Sequence, residues 1–214
     1  MRVTMHPGNE APKSWLPNST ILLSAALFLG LGAAARHGAT RNVNRAVRAR
    51  VGPKENSNVT QLARTITFVG GPDAHLLFSV FLAMVIRMVR GRGGSGVVAA
   101  SLSATAVDKL SRVVIRQRRP RGAGRHRGLD RFAYPSGHTC AITAIATAAV
   151  GELTTQSSTE LRNTLDASAA ILSLAVGWSR LYLDEHWIDD VAGGLCAGLA
   201  IGTSITEISK ITHS

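Results

Sequence analysis

Three short polar clusters, each at the end of an apolar stretch, hold the residues whose chemistry stands out in this chain. The first runs from Arg112 to Arg119-Pro120, the second is Pro135-Ser136-Gly137-His138, and the third runs from Ser179-Arg180 through His186 to Asp190. Arginine presents a planar, permanently charged fork that matches phosphate oxygens. Histidine exchanges a proton near neutral pH. Asp190 follows His186 by four residues, one turn on and on the same helical face. A carboxylate so placed holds one ring nitrogen and leaves the other free as a base or nucleophile. Asp189 points roughly 100° away by helical geometry. Together the clusters supply phosphate-holding donors, two imidazoles and an orienting carboxylate. No His/Cys/carboxylate group shows metal-ligand spacing, so the expected chemistry is phosphoryl transfer with no metal and no cofactor.

Local sequence indicates how these groups are presented. Pro135-Ser136-Gly137-His138 stands directly before an apolar run and reads as a helix start, where free backbone N–H groups and the positive dipole end favour an anion. Ser136 adds a hydroxyl, and Gly137 allows close backbone approach. Pro120 cannot continue a helix and pushes Arg119 out of helical geometry. Arg116, Arg118, Arg121, Arg125 and Arg127 surround the first cluster and read as a solvated or headgroup-binding loop. Asp184 and Glu185, in the turn before His186, offset part of the local positive field.

The elements that must position these groups are apolar. Of 214 residues 45% are hydrophobic, and 21 are glycine. Candidate membrane helices cover residues 19–35, 74–89, 95–114, 138–153, 165–183 and 188–208, against the ~20 apolar residues a span requires. The second and fourth are short, and are either lengthened by less apolar flanks or buried inside a bundle. The expected architecture is all-α, a six-helix transmembrane bundle with its site at the ends of helices 3 to 6. A polar tail occupies 1–18, one membrane domain 19–208, and a C-terminal tail 209–214. Six spans put the loops after the first, third and fifth helices on one side, and those loops carry all three clusters. Gly194 and Gly198 fit the small-residue spacing at which helix backbones approach closely, here within the bundle. Arg41, Arg45, Arg48 and Arg50, with Val43, Ala46, Val47 and Val51 between them, suggest a short amphipathic helix on the headgroups. Gly70-Gly71-Pro72-Asp73 breaks the chain before the second span. Ala33-Ala34-Ala35 has the small residues of a signal-peptide cleavage site, but an even number of spans favours keeping the first segment. Cys140 and Cys196 both fall in apolar segments, which argues against a disulfide framework.

A net charge of +11 would suggest nucleic acid in a soluble protein. Here the basic residues lie in blocks between apolar runs and no recognition module is present, so the expected partners are membrane lipids and a lipid phosphate, with no nucleic acid. The cluster-bearing side holds 16 of the 24 Lys and Arg: seven from Arg36 to Arg64, eight from Arg112 to Arg131, and Arg180. The positive-inside rule then places that side in the cytoplasm of a multi-pass cell-membrane protein.

Arg112-x6-Arg119-Pro120, Pro135-Ser136-Gly137-His138 and Ser179-Arg180-x5-His186-x3-Asp190 resemble the three-part signature of the type 2 phosphatidic acid phosphatase superfamily. That superfamily takes in membrane lipid phosphate phosphatases, soluble acid phosphatases and vanadium haloperoxidases. The resemblance implies a membrane phosphatase acting on a lipid phosphate or polyprenyl (di)phosphate. His186 would be the nucleophile that forms a phosphohistidine, Asp190 its orienting partner and His138 the acid and base. Arg112, Arg119, Ser136, Gly137 and Arg180 would bind the phosphate. The first motif usually opens with lysine, so Arg112 departs from the pattern, and Lys109 one turn earlier is a rival for that place. The competing readings are a catalytically silent basic membrane scaffold of the same fold and a vanadate-dependent oxidase, against which so short a chain argues.

Overall fold

The computed structural model describes residues 19–52, 57–121, 126–154 and 157–212. The expected tail at 1–18, Arg125 and the last two residues lie outside them. Among the described residues are eight α-helices: α1 Ser19–His37, α2 Arg41–Val51, α3 Ser57–Phe68, α4 Pro72–Arg90, α5 Ser95–Ile115, α6 Gly137–Leu153, α7 Thr159–Tyr182 and α8 Ile188–Thr212. No strand occurs among them, and the all-α expectation holds. Six of the helices cover the six apolar stretches, while α2 and α3 fill the polar interval. By length and composition alone, α1, α4 and α8 can cross a membrane. Helices α5 and α7 bring Arg112 and Arg180 to the polar end.

Helix α6 is the axis of the bundle. Eleven of its 17 residues are buried, among them Cys140, Ile142, Ala144, Ile145 and Ala148, and it packs on α4, α5, α7 and α8. A short span is tolerated here because neighbouring helices, not lipid, surround it. The other short candidate, α4, is lengthened instead: Pro72 sits in its first turn and Gly91, in the left-handed region at φ 70°, ends it, as helix starts and stops favour. Helix α8 lies against α6 through Gly194, Gly198 and Gly202. A β-carbon at Gly198 would come within 2.5 Å of Thr143 Cβ and 2.7 Å of the Cys140 carbonyl. The glycine spacing is therefore an internal helix contact.

Helix α2 forms where the arginine-rich segment predicts it, but its packed face is polar. Val43 is 59% exposed, whereas Asn44 is 4% exposed and donates to Asp189 Oδ2 at 2.9 Å. Arg48 grips Asp184 with two hydrogen bonds of 2.6 and 2.7 Å. The helix thus clamps the turn between α7 and α8 while its valine faces outward. Helix α3, not anticipated from the sequence, packs on α7, and the breaker after it brings Gly70 against His138, where a β-carbon would lie 3.0 Å from that of the histidine.

Candidate active site

The three clusters meet at one end of the bundle. Helix α5 ends with Arg112 in its last turn and Arg116 in the left-handed region at φ 57°. The chain then runs back along 132–133, with Ala133 N–H donating to the Gln117 carbonyl at 2.8 Å. That return holds Arg119 inward: its Nε donates to the Asp130 carbonyl at 2.7 Å and its side chain is 8% exposed. Tyr134 is buried and stacks on Phe28, ring centroids 5.6 Å apart, and its hydroxyl donates to the Phe28 carbonyl. The Tyr134–Pro135 peptide is cis. These contacts seat the start of α6 between α1 and α8. The Ser136 N–H donates to the Asp190 carbonyl at 2.9 Å, so the second and third clusters are joined through the backbone. Gly137 and His138 follow in the first turn of α6, where helix N–H groups have no intrahelical acceptor.

Helix α7 ends at Tyr182 with Arg180 in its last turn. Asp184 takes the left-handed conformation at φ 58°, and the Arg48 fork holds it there. The turn delivers His186 into the interior, 3% exposed, and Asp190 is fully buried. His186 Nδ1 faces Asp190 Oδ2 at 3.3 Å, and the same oxygen accepts the Trp187 N–H at 2.8 Å. With Nδ1 carrying the proton toward the carboxylate, Nε2 is the acceptor, and Arg119 Nη1 donates to it at 2.9 Å. Burial first, then the guanidiniums of Arg119 and Arg180, followed by His138 and Arg112, hold the His186 pKa well below its ordinary value. The ring therefore stays neutral, with its lone pair intact, to pH values below the usual histidine range.

All eight residues expected from the sequence lie at this end. Arg180 Nη1 donates to Thr67 Oγ1 of α3 at 2.8 Å. Arg112 is 6% exposed and is tied by Nε to Asp108 at 2.9 Å and by Nη1 to Asp130 at 3.1 Å. Lys109, the rival for its place, is exposed. Gly137 does allow a close approach, and the group that approaches is the Asp108 carboxyl, 3.0 Å from where a β-carbon would stand. Among the described residues no group of three His, Cys, Asp or Glu is arranged to hold a metal ion.

Several contributors escaped the sequence reading. Asp108 stands four residues before Arg112, a helical ion-pair spacing that could have flagged it. Asp189, turned away from the site as helical geometry requires, binds Thr40, Asn44 and Gln117 and anchors the start of α8. Thr40, Asn44, Thr67 and Gln117 carry no local pattern and are found only through the packing of α2, α3 and the α5–α6 loop.

Fold and cluster together define a membrane-embedded helical protein whose interior, at one end, is built around two histidines, a carboxylate and three arginines. The family model of the PAP2 superfamily matches residues 74–212, and the chain belongs to that superfamily. A solved structure of similar fold is the transmembrane PAP2-type phosphatidylglycerolphosphate phosphatase from Bacillus subtilis. It superposes with a TM-score of 0.81 at 20% sequence identity, covering 91% of this chain and 98% of its own. No curated protein matches the chain.

Proposed function

We propose that this chain is a multi-pass cell-membrane phosphatase that hydrolyses a lipid phosphate or polyprenyl (di)phosphate through a phosphohistidine, without a metal ion. The observation that carries the reading is the alignment of Asp190 Oδ2, both nitrogens of His186 and Arg119 Nη1 in a basic, buried setting. Arg180 adds to it: its Nε is buried without a hydrogen-bond partner among the described residues, the kind of donor that a phosphate oxygen satisfies.

In the first step His186 Nε2 attacks phosphorus; the P–N bond forms as the bond from phosphorus to the leaving oxygen breaks. His138 gives its proton to that oxygen, and Asp190 stabilises the charged ring of His186. In the second step His138 takes a proton from water, which attacks the phosphohistidine and releases inorganic phosphate and free His186. Arg112, Arg119 and Arg180, the Ser136 hydroxyl and the N–H groups at Gly137 hold the phosphoryl oxygens, so that catalysis comes mainly from positioning and charge neutralisation. The lipid tail stays in the bilayer.

The deciding experiment is phosphate release by the purified protein from a panel of short-chain lipid phosphates, with and without EDTA, using His186→Ala as blank. Release that persists in EDTA and is lost in the blank supports the reading. A wild-type protein without release is the silent scaffold, and release abolished by EDTA overturns the metal-free mechanism.

The depressed His186 pKa carries a pH prediction. A nucleophile with an unshifted pKa would lose kcat/KM as pH falls through about 6.5; here kcat/KM holds at and below that pH, and its acid limb lies lower. An acid limb centred near 6.5 in the wild type would contradict this. The charge asymmetry of the loops further leads us to place the site on the cytoplasmic side, which puts the C-terminus outside. An alkaline phosphatase fused to the C-terminus is then active and a fluorescent protein there dark. The reverse result turns the site outward.

A further inference from the structure

The cluster contains an anion of its own. Glu185 precedes His186, and its Oε2 lies 3.6 Å from Arg119 Nη1 and 3.7 Å from Arg180 Nη2. On its outer side the same oxygen meets His126 Nε2 at 2.8 Å. The Glu185 backbone carbonyl also accepts from Arg119 Nη1, at 2.8 Å. That guanidinium nitrogen is therefore held by both polar groups of one residue while it donates to the His186 nitrogen whose lone pair must reach phosphorus. Guanidinium forks bind carboxylate and phosphate oxygens through the same geometry. The Glu185 oxygen stands within ion-pair range of both Arg119 and Arg180 without a hydrogen bond to either, so a tetrahedral anion drawn to those two side chains competes with it for the same charge.

From this geometry we propose that Glu185 is a built-in competitor of the substrate phosphate: its carboxylate shares the Arg119–Arg180 cradle and keeps Arg119 on His186 Nε2. The inference rests on reading the cluster as a phosphate site. A substrate phosphate displaces the carboxylate outward toward His126 and draws Arg119 off Nε2, so binding the correct anion is what frees the nucleophile. Two groups compete for one pair of cations, and the net affinity for a phosphate is lowered by whatever the carboxylate contributes there. This gives Glu185 an effect on anion affinity that a residue merely buttressing the arginines would exert with the opposite sign.

Neutralising the carboxylate at constant shape separates the two. Inorganic phosphate is titrated calorimetrically into the full-length detergent-solubilised protein and its Glu185→Gln variant. Glu185→Ala is measured in parallel, so that a contact made by the new amide is recognised. Both variants bind phosphate about tenfold more tightly, a change of one decade in Kd. His126→Ala, which removes the outer anchor of the carboxylate, shifts affinity the same way by less. Where turnover is measured, KM for the lipid phosphate falls while kcat changes little. Unchanged or weaker phosphate binding in both Glu185 variants overturns the proposal. Because binding needs no turnover, the two readings fail separately. A wild type that hydrolyses no lipid phosphate sinks the enzymatic assignment, whereas normal hydrolysis with equal phosphate affinity in wild type and variants sinks only the role of Glu185.

Discussion

On the proposed mechanism, replacing His186 with alanine lowers phosphate release from the preferred lipid phosphate by at least about 10⁴-fold, because the variant lacks the atom that would bond to phosphorus, not a contact that assists it. The neighbours cannot take over. Asp190 is fully buried behind the ring, and Arg119 offers donors only. The remaining arginines still bind phosphate, so residual anion binding with no turnover is the expected signature. A buried histidine leaves a gap when truncated, and His186→Gln, which keeps volume and polarity, is measured alongside with thermal unfolding in detergent. Both variants folded and both inactive is the expected pair. Either variant retaining a tenth or more of wild-type turnover would remove His186 from the nucleophile's place.

The second large effect falls on His138. Its alanine variant loses about 10²- to 10⁴-fold in kcat for a lipid alcohol leaving group, the range for positioned acid–base catalysis. The step that fails depends on the leaving group. An aryl phosphate departs without a proton, so the first step survives in the variant while water attack, which needs the same imidazole as base, does not. The phosphohistidine then accumulates, and label from a 32P-phosphoryl donor stays on the protein in acid-labile, alkali-stable form. The proposed mechanism expects the wild type to turn the same intermediate over and retain no label. No burst and no retained label with the aryl substrate would mean that His138 only shapes the site. Gly70 packs on the Cβ and backbone of His138, so a side chain there would crowd the start of α6 that presents the imidazole.

Much of this site could be read before any coordinates. Arginines, imidazoles and a carboxylate placed at helix ends in a chain of apolar runs are costly unless they work together, and the four-residue step from His186 to Asp190 specifies one face of one helix. The glycine spacing of α8 announced close helix packing, and the prolines at 72, 120 and 135 marked breaks. Six apolar stretches could be outlined, although only three are apolar enough to count as spans by themselves. Of the others, α5 is interrupted by Asp108, Lys109 and Arg112, and α6 is only 17 residues long.

What stayed out of reach was every relation between residues distant in sequence. Hydrophobic period and capping are local, so they found α2 and its valines but not the contacts its polar residues make. In the structure Asn44 and Arg48 do the packing, because Asp189 and Asp184, more than 130 residues away, need partners once buried. The same holds for Glu185. In sequence it is a turn carboxylate that softens a positive field; in the structure it lies between two arginines from different segments. Composition and spacing were thus enough to determine a membrane helix bundle and the chemical inventory of its polar end, since both follow from periodicity and the cost of burying charge. Only the tertiary structure decided which charge meets which, because desolvated groups are paired by the contacts of the folded chain and not by their order along it.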